Sequence, residues 1–147
     1  MQHRNCNIQK EETGMNLDCE KLILKAFQGR KNAYAPYSGF KVGAAVLTQG
    51  GNIYTGCNIE NASYGASNCA ERTAIFKAVS EGHKTLYAIA IVGAEDKYTY
   101  PCGICRQVIS EFASPHMKII LAKNEKEYIV KTLDEIFPGA FTKKNLL

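Results

Sequence analysis

The sequence predicts an α/β fold: three layers, α-β-α, built around a mixed sheet of roughly five strands. Three observations carry that expectation. Segments with helical periodicity alternate with short apolar runs along all but the first part of the 147 residues, as in helices packed on a sheet. Leu86 to Val92 is a nearly unbroken apolar run, the mark of a central strand covered on both faces. Gly50-Gly51 joins two strand-like stretches as a hairpin, so part of the sheet is antiparallel.

Residues 1–15 are charged and lack periodicity, and they read as a disordered leader; residues 16–147 read as one domain. From Leu17 to about Ala33, the pattern Leu22, Ile23, Ala26, Phe27 predicts an amphipathic helix capped by Asn16 or Asp18. Tyr34-Ala35-Pro36-Tyr37-Ser38-Gly39 is a loop. Phe40 to Leu47, broken at Gly43, is the first strand, and Asn52 to Asn58 returns alongside it. After the loop Ile59 to Asn68, Ala70, Ala74, Ile75, Ala78 and Val79 recur at helical spacing until Gly82 stops the helix. The apolar strand ends at the polar Glu95-Asp96-Lys97. A second helix then starts near Cys102, carries Val108, Ile109 and Phe112, and is expected to break at Ser114-Pro115. Met117 to Ala122 is the next strand, Glu127 to Lys131 a short edge strand, and Thr132 to Phe137 a short helix.

Composition narrows what such a domain does. With 46% hydrophobic and 22% charged residues, the chain has the composition of an ordinary globular protein. Its net charge of +4 comes from dispersed lysines, which argues against a nucleic-acid partner. No apolar run reaches the length of a membrane span, and Met1 to Glu12 contain no signal-peptide core, so a cytoplasmic protein is expected. In that reducing setting, the six cysteines point to metal binding or plain burial before disulfides.

Three of those cysteines fall where chemistry is favoured. Cys69 opens one helix and Cys102 and Cys105 open another, each near unpaired backbone N–H groups that favour a thiolate. Three sulfurs on one zinc leave a tetrahedral position free for water, the arrangement of catalytic rather than structural zinc. Glu71, two residues after Cys69, is placed to take the proton that water gives up. Three thiolates leave the cluster negative, and Arg72 is the candidate to donate hydrogen bonds to the sulfurs and offset that charge.

Cys69-x-Glu71 followed by Pro101-Cys102-x-x-Cys105 matches the signature of zinc-dependent nucleobase deaminases. The resemblance narrows further, to the small cytidine deaminase family, over roughly Leu17 to Phe141. It is carried by Pro36-Tyr37-Ser38, Phe40, Val42-Gly43-Ala44-Ala45, Gly56-Cys57-Asn58-Ile59-Glu60-Asn61, Cys69-Ala70-Glu71-Arg72-Thr73-Ala74 and Pro101 to Gln107. The leader before Met15 is the part that does not fit. The resemblance implies one zinc per subunit on Cys69, Cys102 and Cys105, with Glu71 shuttling a proton to N3 and then to the departing ammonia. It further implies that Asn58 and Glu60 hold the ribose, Phe40 presses on the pyrimidine, and the Ala70 N–H binds the 2-oxo group. Tyr64 and Phe141 would reach into neighbouring sites of a homotetramer. The activity implied is hydrolysis of cytidine and 2′-deoxycytidine to the uridine counterparts, in pyrimidine salvage.

Duller readings stand beside these. Cys102-x-x-Cys105 alone fits a redox pair or half of a structural zinc site; Cys69-x-Glu71 tips the balance. Cys6, Cys19 and Cys57 read as bystanders, and His3, His83 and His116 as non-ligands. The rival functions are deamination of another cytosine-containing small molecule, such as a blasticidin-type antibiotic, and, from a different class, a zinc-stabilised binding module without turnover.

Overall fold

The computed structural model describes Cys6 and residues 17–147. Helix α1 (Cys19–Arg30) is opened by Asp18, whose carboxylate accepts from the Lys21 N–H at 3.0 Å and so satisfies a donor that the first turn leaves unpaired. The other expected cap, Asn16, lies outside the described residues, as does the predicted leader apart from Cys6.

Strands β1 (Gly43–Thr48) and β2 (Ile53–Cys57) form the predicted hairpin, pairing Gly43 with Cys57 and Leu47 with Ile53. Gly43 starts the strand instead of interrupting one. A β-carbon there would lie 2.1 Å from the Ala26 carbonyl oxygen and 2.6 Å from the Arg30 nitrogen, so only glycine lets the sheet pass this close to α1. Phe40 consequently stays outside the strand.

The chain continues through α2 (Ala70–Ser80), β3 (Leu86–Val92), α3 (Gly103–Phe112), β4 (Ala113–Ala122), β5 (Tyr128–Thr132) and α4 (Leu133–Ile136). Two single-turn 3-10 segments, Tyr64–Ala66 and Lys143–Asn145, complete it. The strand order is β2-β1-β3-β4-β5, with β3 and β4 parallel and the other neighbours antiparallel. The sheet is therefore mixed and five-stranded, as predicted, with β3 at its centre and β5 at an edge.

Side chains alternate between two cores across this sheet. Ala45, Leu47, Ala88, Ala90, Val92 and Ile120 face Leu22, Ile23 and Ala26 of α1. Val46, Ile89, Ile91, Ile119 and Leu121 face Ala74 and Ile75 of α2, Ile109 of α3 and Ile136 of α4. These are the three layers expected, with the helices that begin at Cys69 and Cys102 on one side.

Two sequence expectations are corrected. Ser114-Pro115 does not separate a helix from a later strand, because β4 begins at Ala113, directly after α3. Leu86 pairs with Ala113 and Ala88 with Lys118, so β4 carries extra residues at this point, and Pro115 falls in the bulge, where no ladder hydrogen bond is asked of it. Cys6 and Cys19 are not bystanders. They form a disulfide, with Cα atoms 6.1 Å apart, a separation within the range that a bridge requires.

Candidate metal centre and substrate cleft

The site is built by two helix starts on one face of the sheet. Cys69 is the N-cap of α2 and Cys102 the N-cap of α3, both with extended backbone. Cys105 is the third residue of α3 and is fully buried. Its own N–H donates to the Cys102 sulfur at 3.4 Å. Close packing sets the position of α2: a β-carbon on Gly56 of β2 would lie 2.4 Å from the Ala74 nitrogen and 2.6 Å from the Ala70 oxygen. The glycine lets backbone touch backbone.

The three sulfurs lie within 4.8 Å of one another, with those of Cys69 and Cys102 3.7 Å apart. Bonds of about 2.3 Å at tetrahedral angles would separate zinc-bound sulfurs by about 3.8 Å, so the set fits zinc without rearrangement of the fold. The electrostatics fit as well. Cys69 accepts hydrogen bonds from Cys105, Arg72 and Cys102, and despite partial burial its thiol is pushed down to about 5. Cys105 is driven the opposite way by its hydrogen bond to Cys69, by burial and by the Glu71 charge, so the pair holds a shared proton that an incoming cation would displace. Arg72 Nη2 donates to the Cys69 sulfur at 3.4 Å, as the sequence suggested, while its buried Nε has no partner among the described residues.

Glu71 occupies the second position of α2 and is only 4% exposed. Burial is the main force pushing its carboxyl up to about 6; the neighbouring Cys69 charge adds to the shift, and Cys105 and Arg72 oppose it. Its Oε2 accepts from Cys105 at 3.5 Å. Ala70 is the first residue of α2, a position whose N–H has no acceptor within the helix.

Glu60, Asn58, Phe40 and Tyr64 gather around the loop ahead of β1, whereas Phe141 lies against α3, its carbonyl accepting from Gln107. Glu60 Oε1 accepts from the N–H groups of Tyr37 at 2.9 Å and Ser38 at 3.1 Å. Those bonds, with one from the Ser38 side chain leading, hold its carboxyl below the usual range. Glu60, Tyr37, Ser38, Tyr64 and Ser67 line a cleft of about 300 Å³. Asn58 spans the 40–42 segment: its Oδ1 accepts from the Val42 N–H at 2.8 Å and its Nδ2 donates to the Phe40 carbonyl at 2.7 Å. The Phe40 ring overlies Gly93, where a β-carbon would stand 3.0 Å from Cζ. Tyr64 packs edge-on against Tyr37 at 5.9 Å and is 76% exposed; Phe141 is 59% exposed.

Sequence reasoning passed over several residues that organise these groups. Asn68 and Thr73 bond to each other beside Cys69, and Gln107 donates to the Phe141 carbonyl at 2.9 Å. Most of their partners are backbone atoms, which leave no trace in residue spacing.

A buried carboxylate beside three convergent sulfurs, on helices backed by a mixed sheet, defines a zinc-dependent hydrolase of the deaminase class. Residues 17–122 match the family described as the cytidine and deoxycytidylate deaminase zinc-binding region. The cytidine deaminase of Sporosarcina psychrophila is 48% identical over 130 residues, covering 88% of this chain and 96% of that protein. A crystal structure of cytidine deaminase from Burkholderia pseudomallei superposes with a TM-score of 0.79 at 44% identity, covering 85% of this chain and all of that one. The blasticidin-S deaminase of Bacillus cereus is 33% identical over 110 residues, 69% of this chain and 77% of that protein. The chain belongs to the cytidine and deoxycytidylate deaminase family.

Proposed function

We propose that this chain deaminates free cytidine, and 2′-deoxycytidine with it, to the uridine counterparts with release of ammonia. The observation that carries the reading is Glu71, a carboxylate 4% exposed and in contact with one of the convergent sulfurs. Zinc held by Cys69, Cys102 and Cys105 supplies the Lewis acidity that lets water lose a proton near neutral pH. Glu71 accepts that proton and carries it to N3 of the pyrimidine. The water oxygen bonds to C4. Glu71 then takes the remaining proton from the new C4 hydroxyl and gives it to the exocyclic amine, so that the C4–N bond breaks, ammonia leaves and the oxygen stays on C4 as the 4-oxo group of uridine. Burial raises the Glu71 carboxyl above the usual carboxylate range, which favours the protonated state it must pass through.

The rest of the substrate is held by neighbouring groups. The Ala70 N–H binds the 2-oxo group, and Phe40 presses on the ring. Glu60 accepts from the 3′-hydroxyl through the carboxylate edge that faces the cleft, and Asn58 completes the sugar contact while fixing the Phe40 backbone. A carboxylate beside the ribose suits an uncharged nucleoside and repels a nucleotide phosphate. Tyr64 and Phe141 are large aromatics left exposed, which supports a homotetramer whose subunits complete one another's sites. Pyrimidine salvage is cytoplasmic work and goes with that activity, whereas the Cys6–Cys19 disulfide speaks for an oxidising setting.

The test is to offer the purified protein cytidine, cytosine, cytidine monophosphate, adenosine and blasticidin S, and to follow ultraviolet absorbance. Loss of the amino group from the free pyrimidine nucleoside alone is expected. Turnover confined to blasticidin S would transfer the reading to the antibiotic, and zinc binding without any turnover would make the chain a binding module.

A further inference from the structure

The sugar-binding segment and the metal half of the site are different pieces of chain, and catalysis requires a fixed spacing between them. Asn58 to Glu60 run off the end of β2, whose last residue, Cys57, closes the sheet ladder opposite Gly43. Asn68 and Cys69 lead into α2. One side chain touches both pieces. The Thr73 hydroxyl has a single proton and two carbonyls within reach, that of Cys57 at 2.9 Å and that of Cys69 at 3.2 Å. Its lone pair accepts from Asn68 Nδ2 at 3.1 Å. Asn68 in turn exchanges both backbone hydrogen bonds with Ile59, each 2.9 Å. Ile59 stands between Asn58 and Glu60, so a short polar chain runs from the sugar segment to the carbonyl of a zinc ligand. Thr73 is half-buried, where a lost hydroxyl partner is not fully replaced by water.

We propose that Thr73 is a positioning residue that sets the distance between the nucleoside-holding segment and the metal half of the site. This rests on the reading of Glu60 and Asn58 as ribose ligands. Thr73→Val keeps the shape and removes the hydroxyl, leaving Asn68 Nδ2 and the Cys57 carbonyl without their partner.

The experiment compares cytidine with 3′-deoxycytidine on the wild-type and Thr73→Val enzymes, with zinc measured in both. Expected for Thr73→Val is a loss in kcat/KM on cytidine of about tenfold, carried mainly by KM. Zinc per chain should be unchanged. The loss on 3′-deoxycytidine should be clearly smaller, because that substrate lacks the hydroxyl whose contact has been misplaced. Thr73→Ser should restore the wild-type pattern, and Asn68→Ala should shift it in the same direction, providing a second route if Thr73→Val folds poorly. Equal losses on the two substrates, or loss of zinc, would overturn the assignment by making Thr73 an ordinary structural residue. Wild-type enzyme that does not distinguish the two substrates would instead sink the ribose reading and the assignment with it. Wild-type enzyme that does distinguish them, joined to a Thr73→Val enzyme that does so equally well, sinks the Thr73 assignment alone.

Discussion

The Glu71 carboxylate stands 3.5 Å from the Cys105 sulfur, although the two residues are 34 positions apart and belong to different helices. The contact joins the two helix starts through a buried carboxylate, a group able to accept and return a proton. A structural metal site has no need of a buried acid beside its ligands, whose desolvation would be a cost without return. A hydrolytic site needs one.

Glu71→Gln keeps the size of the side chain and removes its capacity to accept and return a proton. Turnover should fall by a factor on the order of 10² to 10⁴. Zinc content should be unchanged, because the residue touches a ligand without being one. Elemental analysis beside an absorbance assay checks both halves; loss of metal together with activity would assign Glu71 a structural role.

Arg72 bears on the charge of the cluster. Its guanidinium donates to the Cys69 sulfur, and that bond is also the leading reason its own pKa is raised. Arg72→Gln should lower activity or zinc affinity by about ten- to a hundredfold, the usual consequence of removing a group that hydrogen-bonds to a ligand. Zinc competition with a chromophoric chelator measures the affinity and steady-state assay the activity.

Removal of the ion should abolish activity and lower the melting temperature, since the sulfurs link the starts of α2 and α3. With free zinc about a hundredfold above its dissociation constant, binding stabilises the fold by about 2.7 kcal/mol. Adding zinc back should restore both properties to the wild-type chain and neither to Cys102→Ala. Thermal unfolding with and without chelator reads the effect.

Sharing of sites between subunits can be tested by mixing. Glu71→Gln chains have an intact Phe141, and Phe141→Ala chains have an intact Glu71. If Phe141 serves a neighbour's site, co-assembled oligomers contain sites with both groups, and activity should exceed that of either variant alone. If Phe141 serves its own site, no such site forms and the mixture stays as inactive as its parts.

Much of this architecture was legible in the sequence because its strongest signals are periodic. Leu86 to Val92 was bounded correctly because a strand covered on both faces has no polar positions to blur its ends. The helix starts at Cys69 and Cys102 were visible because caps and the apolar stripe behind them agree. Gly43 was read as a break because the close approach that requires it comes from α1, remote in sequence. Pro115 was read as a boundary because a bulge depends on the register of two strands, which neither strand encodes alone. The Cys6–Cys19 link, the backbone donors on Glu60 and the Thr73 bridge were invisible for a related reason. Each depends on which atoms meet in space, and short-range spacing does not report that.

The sheet has one thin side and one thick side. Toward α1 it presents Ala45, Ala88 and Ala90, while the metal-bearing side presents Val46, Ile89 and Ile91. At these three positions, flanked by the larger Leu47, Val92 and Ile120, α1 lies close on the strands. Trimming Ile89 to valine costs about 0.5–1.5 kcal/mol, because bulky neighbours can settle inward. Enlarging Ala88 to valine has no such outlet and costs about 1–3 kcal/mol by forcing the helix off the sheet. The seat of α1 on the central strands is thus set by small side chains that lie across the sheet from the metal centre.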